Sequence, residues 1–296
     1  MAAMSRDGLH ILVSGAGGQL GRELVGIKVP PSVKVTGMSR KEWDVTDLNR
    51  CREVTSMLRP DVIIHCAAYT AVDRAESDPD DAYRINAEGT RNVAVAAREA
   101  GAKLVYISTD YVFDGQSNVP YKEDDEPNPQ TVYGKSKWAG EQFVQSLHDR
   151  YFIVRTSWVY GRYGSNFVKT MLKLGREKKR LTVVHDQIGS PTYTLDLARF
   201  LLELSQTDFY GVYHATNRGA CSWYQFAKAI FEESGMEVEV EPCTTAEFPR
   251  PAPRPPYSVL DHAQIRMQGF GDMRPWREAL RHFLKDDGSD EVKTDR

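Results

Sequence analysis

Short apolar runs punctuate the first half of the chain: HILVSG (10–15), VKVTGM (33–38), VIIHCAA (62–68), KLVYIST (103–109) and YFIVRTS (151–157). Amphipathic stretches with helical period separate successive runs, so the pattern is a repeated strand–helix–strand. The runs are continuous rather than alternating and are bounded by Gly, Ser or Thr. Strands of that kind are covered on both faces, which predicts a parallel sheet with right-handed crossovers. In such sheets ligands gather at the carboxyl ends of the strands.

Beyond about residue 158 the rhythm loosens. Helices are expected near 165–179, 194–206 and 222–235, with strands at 181–186 and 211–216. The expected fold class is therefore α/β, a Rossmann-type doubly wound parallel sheet over 9–160, completed by segments near 192–216. A smaller C-terminal α/β substrate lobe, interleaved with the first domain, would occupy most of 161–285. FPRPAPRPPYS (248–258) cannot run as a helix or a central strand and is expected as an extended surface segment or a lid. The stretch 286–296, rich in charge with Gly and Ser, is expected to be disordered.

Composition narrows the function. The chain has 296 residues, 41% of them hydrophobic, enough for a sizeable core. Its 38 Lys and Arg are interspersed with 41 Asp and Glu. That balance leaves no basic footprint for nucleic acid or an anionic membrane and favours a small-molecule partner. The N-terminal apolar run is too short for a signal peptide or a membrane span, which points to the cytoplasm. Cys51, Cys66, Cys221 and Cys243 form no CxxC or Cys/His cluster, so buried free thiols are expected rather than zinc or disulfides.

Chemistry enters directly after the first run. SGAGGQLGREL (14–24) places Gly15, Gly18 and Gly21 at three-residue spacing as a helix begins. Gly15 suits a tight turn, Gly18 a close approach of backbone to a pyrophosphate, and Gly21 close helix packing, while the helix N-terminus presents free N–H groups. The second run ends GMSRKEWDVTD (37–47), where an acid would read a ribose 2′-hydroxyl and a base a 2′-phosphate. Ser39 and Arg40 occupy that place, with Glu42 and Asp44 the nearest acids. NADPH is favoured and NADH stays open; a solvated loop cation is the plainer account of Arg40.

YISTDYVFDG (106–115) ends the fourth strand and brings Ser108, Thr109, Asp110 and Tyr111 to the carboxyl edge. TVYGKSKWAGE (131–141) follows, with Tyr133 and Lys137 on one helix face. An ammonium near the Tyr133 phenol would favour the phenolate and lower its pKa from about 10, and the Thr109 hydroxyl could orient the same substrate oxygen.

Together with the glycine loop, this constellation resembles the extended short-chain dehydrogenase/reductase superfamily, in which a Ser/Thr, a Tyr and a Lys act on a carbonyl beside a nicotinamide. Asn86 in INAEGT matches that superfamily's helix asparagine, which the resemblance implies is among the cofactor contacts. Longer strings, CAAYTAVDRAE (66–76), STDYVFDG (108–115), RTSWVYG (155–161), DQIGSPTYTLDLA (186–198), GVYHATN (211–217) and RPPYSVLD (254–261), are similar to the dTDP-4-dehydrorhamnose reductase family over roughly 9–284. The resemblance implies NAD(P)H-dependent reduction of dTDP-4-dehydro-L-rhamnose to dTDP-L-rhamnose. It implies Thr109, Tyr133 and Lys137 as the catalytic group, with Asp110, Tyr111 and Trp158 near the sugar and Asn166 and Arg254 on the nucleotide. Gly15, Gln19 and Leu20 would meet the pyrophosphate, Asp44 and Val45 the adenine end, and Ala67, Ala68 and Tyr69 the rest of the cofactor; Lys137 would also bond the nicotinamide ribose. Some members form a homodimer through magnesium, and Glu23 matches one of their acids, although a carboxylate early in a helix also complements its dipole. The chemistry itself requires no metal, and the oligomeric state stays open. The alternatives are a nucleotide-sugar epimerase or dehydratase, or a non-catalytic NADP-binding regulatory subunit such as that of methionine adenosyltransferase.

Overall fold

The computed structural model describes residues 8–291, with side chains through Asp286. Strands β1 (Leu9–Ser14), β2 (Val33–Met38), β3 (Val62–His65), β4 (Lys103–Thr109) and β5 (Tyr151–Thr156) all fall on the apolar runs. They alternate with helices α1 (Gln19–Gly26), α2 (Leu48–Leu58), α3 (Val72–Ser77), α4 (Pro79–Tyr83), α5 (Thr90–Ala100) and α6 (Val132–Leu147). A π-helical turn, Arg84–Gly89, joins α4 to α5.

The C-terminal half adds β6 (Val159–Tyr160), α7 (Phe167–Glu177), β7 (Arg180–Val184), β8 (Ile188–Gly189), β9 (Thr192–Tyr193), α8 (Thr194–Ser205) and β10 (Gly211–His214). After these come β11 (Cys221–Ser222), α9 (Trp223–Ser234), β12 (Glu239–Cys243), α10 (Ala263–Met267) and α11 (Trp276–Glu291).

The main sheet has the order β10-β5-β4-β3-β1-β2, and every pairing in it is parallel. Along each inner strand successive side chains enter opposite cores. Ile11, Val62, Ile64, Val105, Phe152 and Val154 pack with α1 and α8 on one face. Leu12, Ile63, Leu104, Tyr106 and Ile153 pack with α2, α5 and α6 on the other. This two-sided burial is the reason the strands read as unbroken apolar runs.

A third core, around Tyr160, Phe226, Ile230 and Phe283, lies among α7, α9, α11 and the short strands. Those strands form three two-stranded pairs, β6 with β9, β7 with β12 and β8 with β11. The run at 211–216, from the half of the chain where the rhythm loosens, becomes β10 at the edge of the main sheet. Helix α11 continues to Glu291, so the first part of the stretch 286–296 is helical where composition suggested disorder; 292–296 lie outside the described residues. Among the described residues no helix is long and apolar enough to cross a membrane.

The sheet order reverses between β1 and β3, whose carboxyl ends therefore flank a crevice. Thr109 at the end of β4 pairs in register with Thr156 at the end of β5. The glycine loop, the segment after β3 and the residues after β4 and β5 thus meet along one edge.

Candidate active site

The glycine loop is shaped by contacts that exclude side chains. Gly15 has φ +66°, and a Cβ there would lie 2.6 Å from the Ala67 nitrogen. A Cβ on Gly21 would drive into the Gly15 carbonyl oxygen, which is why α1 can pack so close to the loop. Gly17 meets nothing within 4 Å and Gly18 only the Gly15 carbonyl at 3.4 Å, so backbone faces open space just before α1 begins at Gln19. A cavity of about 260 Å³ runs from here past Arg40, Asp44, Val45, Ala67 and Ala68. Free first-turn N–H groups and a bare backbone fit a pyrophosphate, and the apolar and polar walls beyond fit an adenosine. Leu20, expected at the pyrophosphate, is buried and packs into the core through its side chain.

At the adenosine end, Asp44 Oδ1 accepts from the Thr46 N–H at 3.0 Å and hydroxyl at 2.8 Å. The Thr46 backbone bond is the largest cause holding that carboxyl below its ordinary range. Val45 is buried, and its carbonyl accepts from Asn92 at 3.1 Å.

Asn86 sits fully buried in the π-helical turn. Its Oδ1 accepts from the Tyr69 N–H at 2.7 Å, and its Nδ2 donates to the Tyr69 carbonyl and the Ser136 hydroxyl, both at 3.0 Å. The whole amide is thereby engaged within the protein. Asn86 was expected as a cofactor contact; here it clamps the segment after β3 to α6 instead.

Tyr133 stands in the first turn of α6, capped by Thr131, whose hydroxyl accepts from the Gly134 N–H at 3.0 Å. Gly134 lets this turn approach the Tyr111 backbone, and the Tyr111 and Tyr133 rings meet edge to face at 5.5 Å. The Thr109 hydroxyl adjoins the Tyr133 phenol and favours its ionised form. Thr109 in turn donates to Asp110 Oδ1 at 3.0 Å and accepts from the Tyr111 N–H at 3.2 Å. Burial raises the Asp110 carboxyl to about 6, opposed first by the nearby Ser258 hydroxyl, and its buried Oδ2 accepts no well-formed hydrogen bond from the described residues. A buried orphan acceptor beside a reactive hydroxyl is suited to a ligand hydroxyl.

The expected Lys137–Tyr133 coupling is corrected by the structure. Lys137 Nζ donates to the Ile107 carbonyl at 2.7 Å and lies 4.1 Å from the centre of the Tyr106 ring. Desolvation dominates both groups: the phenol is pushed up to about 12, opposed by Thr109, and the ammonium down to about 7, opposed by Glu141. In this state the phenol holds its proton more firmly than in water, not less.

Glu141 escaped the sequence reading. It is fully buried, takes the Ser108 hydroxyl and forms a fork-like pair with Arg155, with Nη2 to Oε2 at 2.8 Å and Nε to Oε1 at 3.0 Å. Its signal was present, since Tyr133, Lys137 and Glu141 follow one another at four-residue spacing on one helix face.

The residues assigned to the sugar nucleotide divide. Tyr111 adjoins Tyr133, and the Arg254 charge eases its phenol's pKa against a larger upward push from burial. Arg254 pairs with Asp73 at 2.9 Å, and Arg250 with the same carboxylate at 2.8 Å, pinning the proline-rich segment onto α3. Trp158, two residues past the end of β5, adopts a left-handed φ of +47° and stacks on Trp223 at 3.5 Å. Asn166 caps α7 through the Lys169 N–H at 3.1 Å and donates to Gln19 Oε1, also at 3.1 Å, which puts it at the glycine loop.

Glu23 lies away from this edge and accepts from the Thr194 hydroxyl at 2.9 Å. Burial raises its pKa, while Thr194, Arg162 and Arg199 oppose that rise. Asp286 adds to the rise, and no cluster of three or more metal-ligating side chains occurs among the described residues.

The glycine loop, the adjoining cleft and the Thr109–Tyr133–Lys137 edge define an oxidoreductase of the short-chain dehydrogenase/reductase type. The family model described as the RmlD substrate binding domain matches residues 9–288. Among curated relatives, the chain is 47% identical to the spore coat polysaccharide biosynthesis protein SpsK of Bacillus subtilis, covering 94% of this chain and 98% of that one. It is 44% identical to a dTDP-4-dehydrorhamnose reductase of Streptomyces griseus over 91% of each. Among solved structures, a Bacillus anthracis dTDP-4-dehydrorhamnose reductase in complex with NADP superposes with a TM-score of 0.93 at 50% identity, covering 94% of this chain and 99% of that one. The chain belongs to the dTDP-4-dehydrorhamnose reductase (RmlD) family.

Proposed function

We propose that this enzyme reduces the 4-keto group of dTDP-4-dehydro-L-rhamnose to give dTDP-L-rhamnose, using NADPH or NADH. The observation that carries the reading is the meeting of Thr109 and Tyr133 at the carboxyl edge of the sheet that also carries the cleft behind the glycine loop. Gly15, Gly17 and Gly18 would hold the pyrophosphate, with Ala67 and Ala68 along the cofactor and Arg40 and Asp44 near the adenosine. The bound nicotinamide supplies the hydride. Tyr133, protonated well above neutral pH, donates its proton to the sugar oxygen as negative charge develops there. Thr109 orients that oxygen, and the Lys137 ammonium, held between the Ile107 carbonyl and the Tyr106 ring, would bond the nicotinamide ribose and so keep the cofactor in place beside the sugar. Asp110, through its unpartnered oxygen, is suited to a sugar hydroxyl.

Loss of NADPH absorbance on adding dTDP-4-keto-L-rhamnose tests the reading. Wild-type protein oxidises the cofactor, and Tyr133→Phe is slower by about 10²-fold or more while still binding NADPH. A folded, NADPH-binding wild type that left the keto sugar untouched would overturn it.

A further inference from the structure

Ser39 opens the segment after β2. The glycine-loop residue Ala16 donates its N–H to the Met38 carbonyl at 3.0 Å, so Ser39 begins directly beside the loop. In a doubly wound sheet this place meets the adenosine ribose, where NADH carries a 2′-hydroxyl and NADPH a 2′-phosphate. A phosphate there requires hydrogen-bond donors, and Ser39 has two, its N–H and its hydroxyl. Both already serve Glu42: Oε2 accepts from the N–H at 2.8 Å and from the hydroxyl at 2.7 Å.

The turn that carries Glu42 is held in place. The N–H groups of Glu42 and Trp43 return to the Ser39 carbonyl at 3.0 and 2.9 Å. The Trp43 indole is buried, and Arg50 grips the Glu42 carbonyl at 2.6 and 3.0 Å. The Ser39 bonds hold the exposed Glu42 carboxyl below its ordinary range, so it is charged at neutral pH. Oε1 accepts no hydrogen bond from the described residues and can accept one from a ribose hydroxyl. Arg40, between Ser39 and Glu42 in the chain, supplies the opposite charge and, with Trp43 and Asp44 just beyond Glu42, lines the cleft behind the glycine loop.

We propose that Glu42 is a specificity-determining residue of the cofactor site, its carboxylate occupying the two Ser39 donors that a 2′-phosphate would use. A ribose hydroxyl gains an acceptor from this arrangement, whereas a phosphate must displace a like charge. Glu42 thus offsets the preference for NADPH that Ser39 and Arg40 confer. The inference rests on the dinucleotide-dependent reductase reading given above.

Dissociation constants of NADPH and NADH, measured by calorimetry on wild type, Glu42→Ala and Glu42→Gln, test it. Removing the charge shifts the NADH-to-NADPH ratio of dissociation constants towards NADPH by about tenfold or more in Glu42→Ala. Glu42→Gln, which loses the charge and keeps an acceptor, shifts it in the same direction by less. Because both dinucleotides are measured on each variant, a general loosening of the turn cancels in the ratio. A ratio within about twofold of wild type in Glu42→Ala, against the shift expected for a lost like charge, would overturn the inference alone. A wild type that bound neither dinucleotide would overturn it together with the reductase reading.

Discussion

Tyr133 and Lys137 illustrate how burial sets chemistry at single residues. Desolvation disfavours the charged form of each, which raises the phenol to about 12 and lowers the ammonium to about 7. At neutral pH Tyr133, the proposed proton donor, therefore keeps its proton, while the lysine is near its midpoint. As pH rises through about 7, Lys137 loses its charge long before Tyr133 does. We expect kcat/KM for reduction, which follows free-enzyme groups, to fall across that range. Glu141→Gln removes the negative charge that sustains the ammonium, so the fall moves to lower pH; an unmoved limb would assign it to another group. The same substitution leaves Arg155 as an unpaired buried cation, at a cost of about 3–5 kcal/mol on urea denaturation.

At the scale of elements, close approach is set by missing side chains. Gly21 allows α1 to lie against the loop at Gly15, and Gly134 allows the first turn of α6 to lie against Tyr111. Gly21→Ala forces its methyl into the loop backbone. The strain of such overpacking, about 1–3 kcal/mol, corresponds to roughly five- to 150-fold weaker NADPH binding, measurable by titration. Wild-type affinity in that variant would show that the loop does not hold the pyrophosphate. The long strands were legible because burial on both faces leaves unbroken apolar runs. The two-residue strands β6, β8, β9 and β11 were not, since such lengths carry no period. Nor was the π-helical turn at Arg84–Gly89, which depends on Asn86 reaching Tyr69 and Ser136 across the fold.

For the whole molecule, ligand and metal should act differently on stability. A ligand that binds only the folded chain adds about 2.7 kcal/mol at a hundred times its dissociation constant. NADPH at that level should raise the Tm in a thermal melt. Chelation with EDTA should leave it unchanged, because Glu23 is engaged by Thr194 and no cluster of three or more metal-ligating side chains occurs among the described residues. A drop in Tm with EDTA, reversed by magnesium, would show that the chain assembles a metal site after all.

The sequence by itself determined the parallel sheet, the glycine loop and the Thr109, Tyr133 and Lys137 set. Each depends on local spacing: apolar runs for strands, three-residue glycine intervals for the loop, four-residue intervals for one helix face. Only the tertiary structure decided what those residues experience. Whether Lys137 lowers the Tyr133 pKa is decided by desolvation and by which carbonyl the ammonium reaches, Ile107, thirty residues earlier in the chain. Likewise Asn86 turns to Tyr69, Asn166 to Gln19 and Glu23 to Thr194. Such long-range pairings and the loss of water that accompanies them leave no periodic trace along the chain, because they arise only when distant segments pack together.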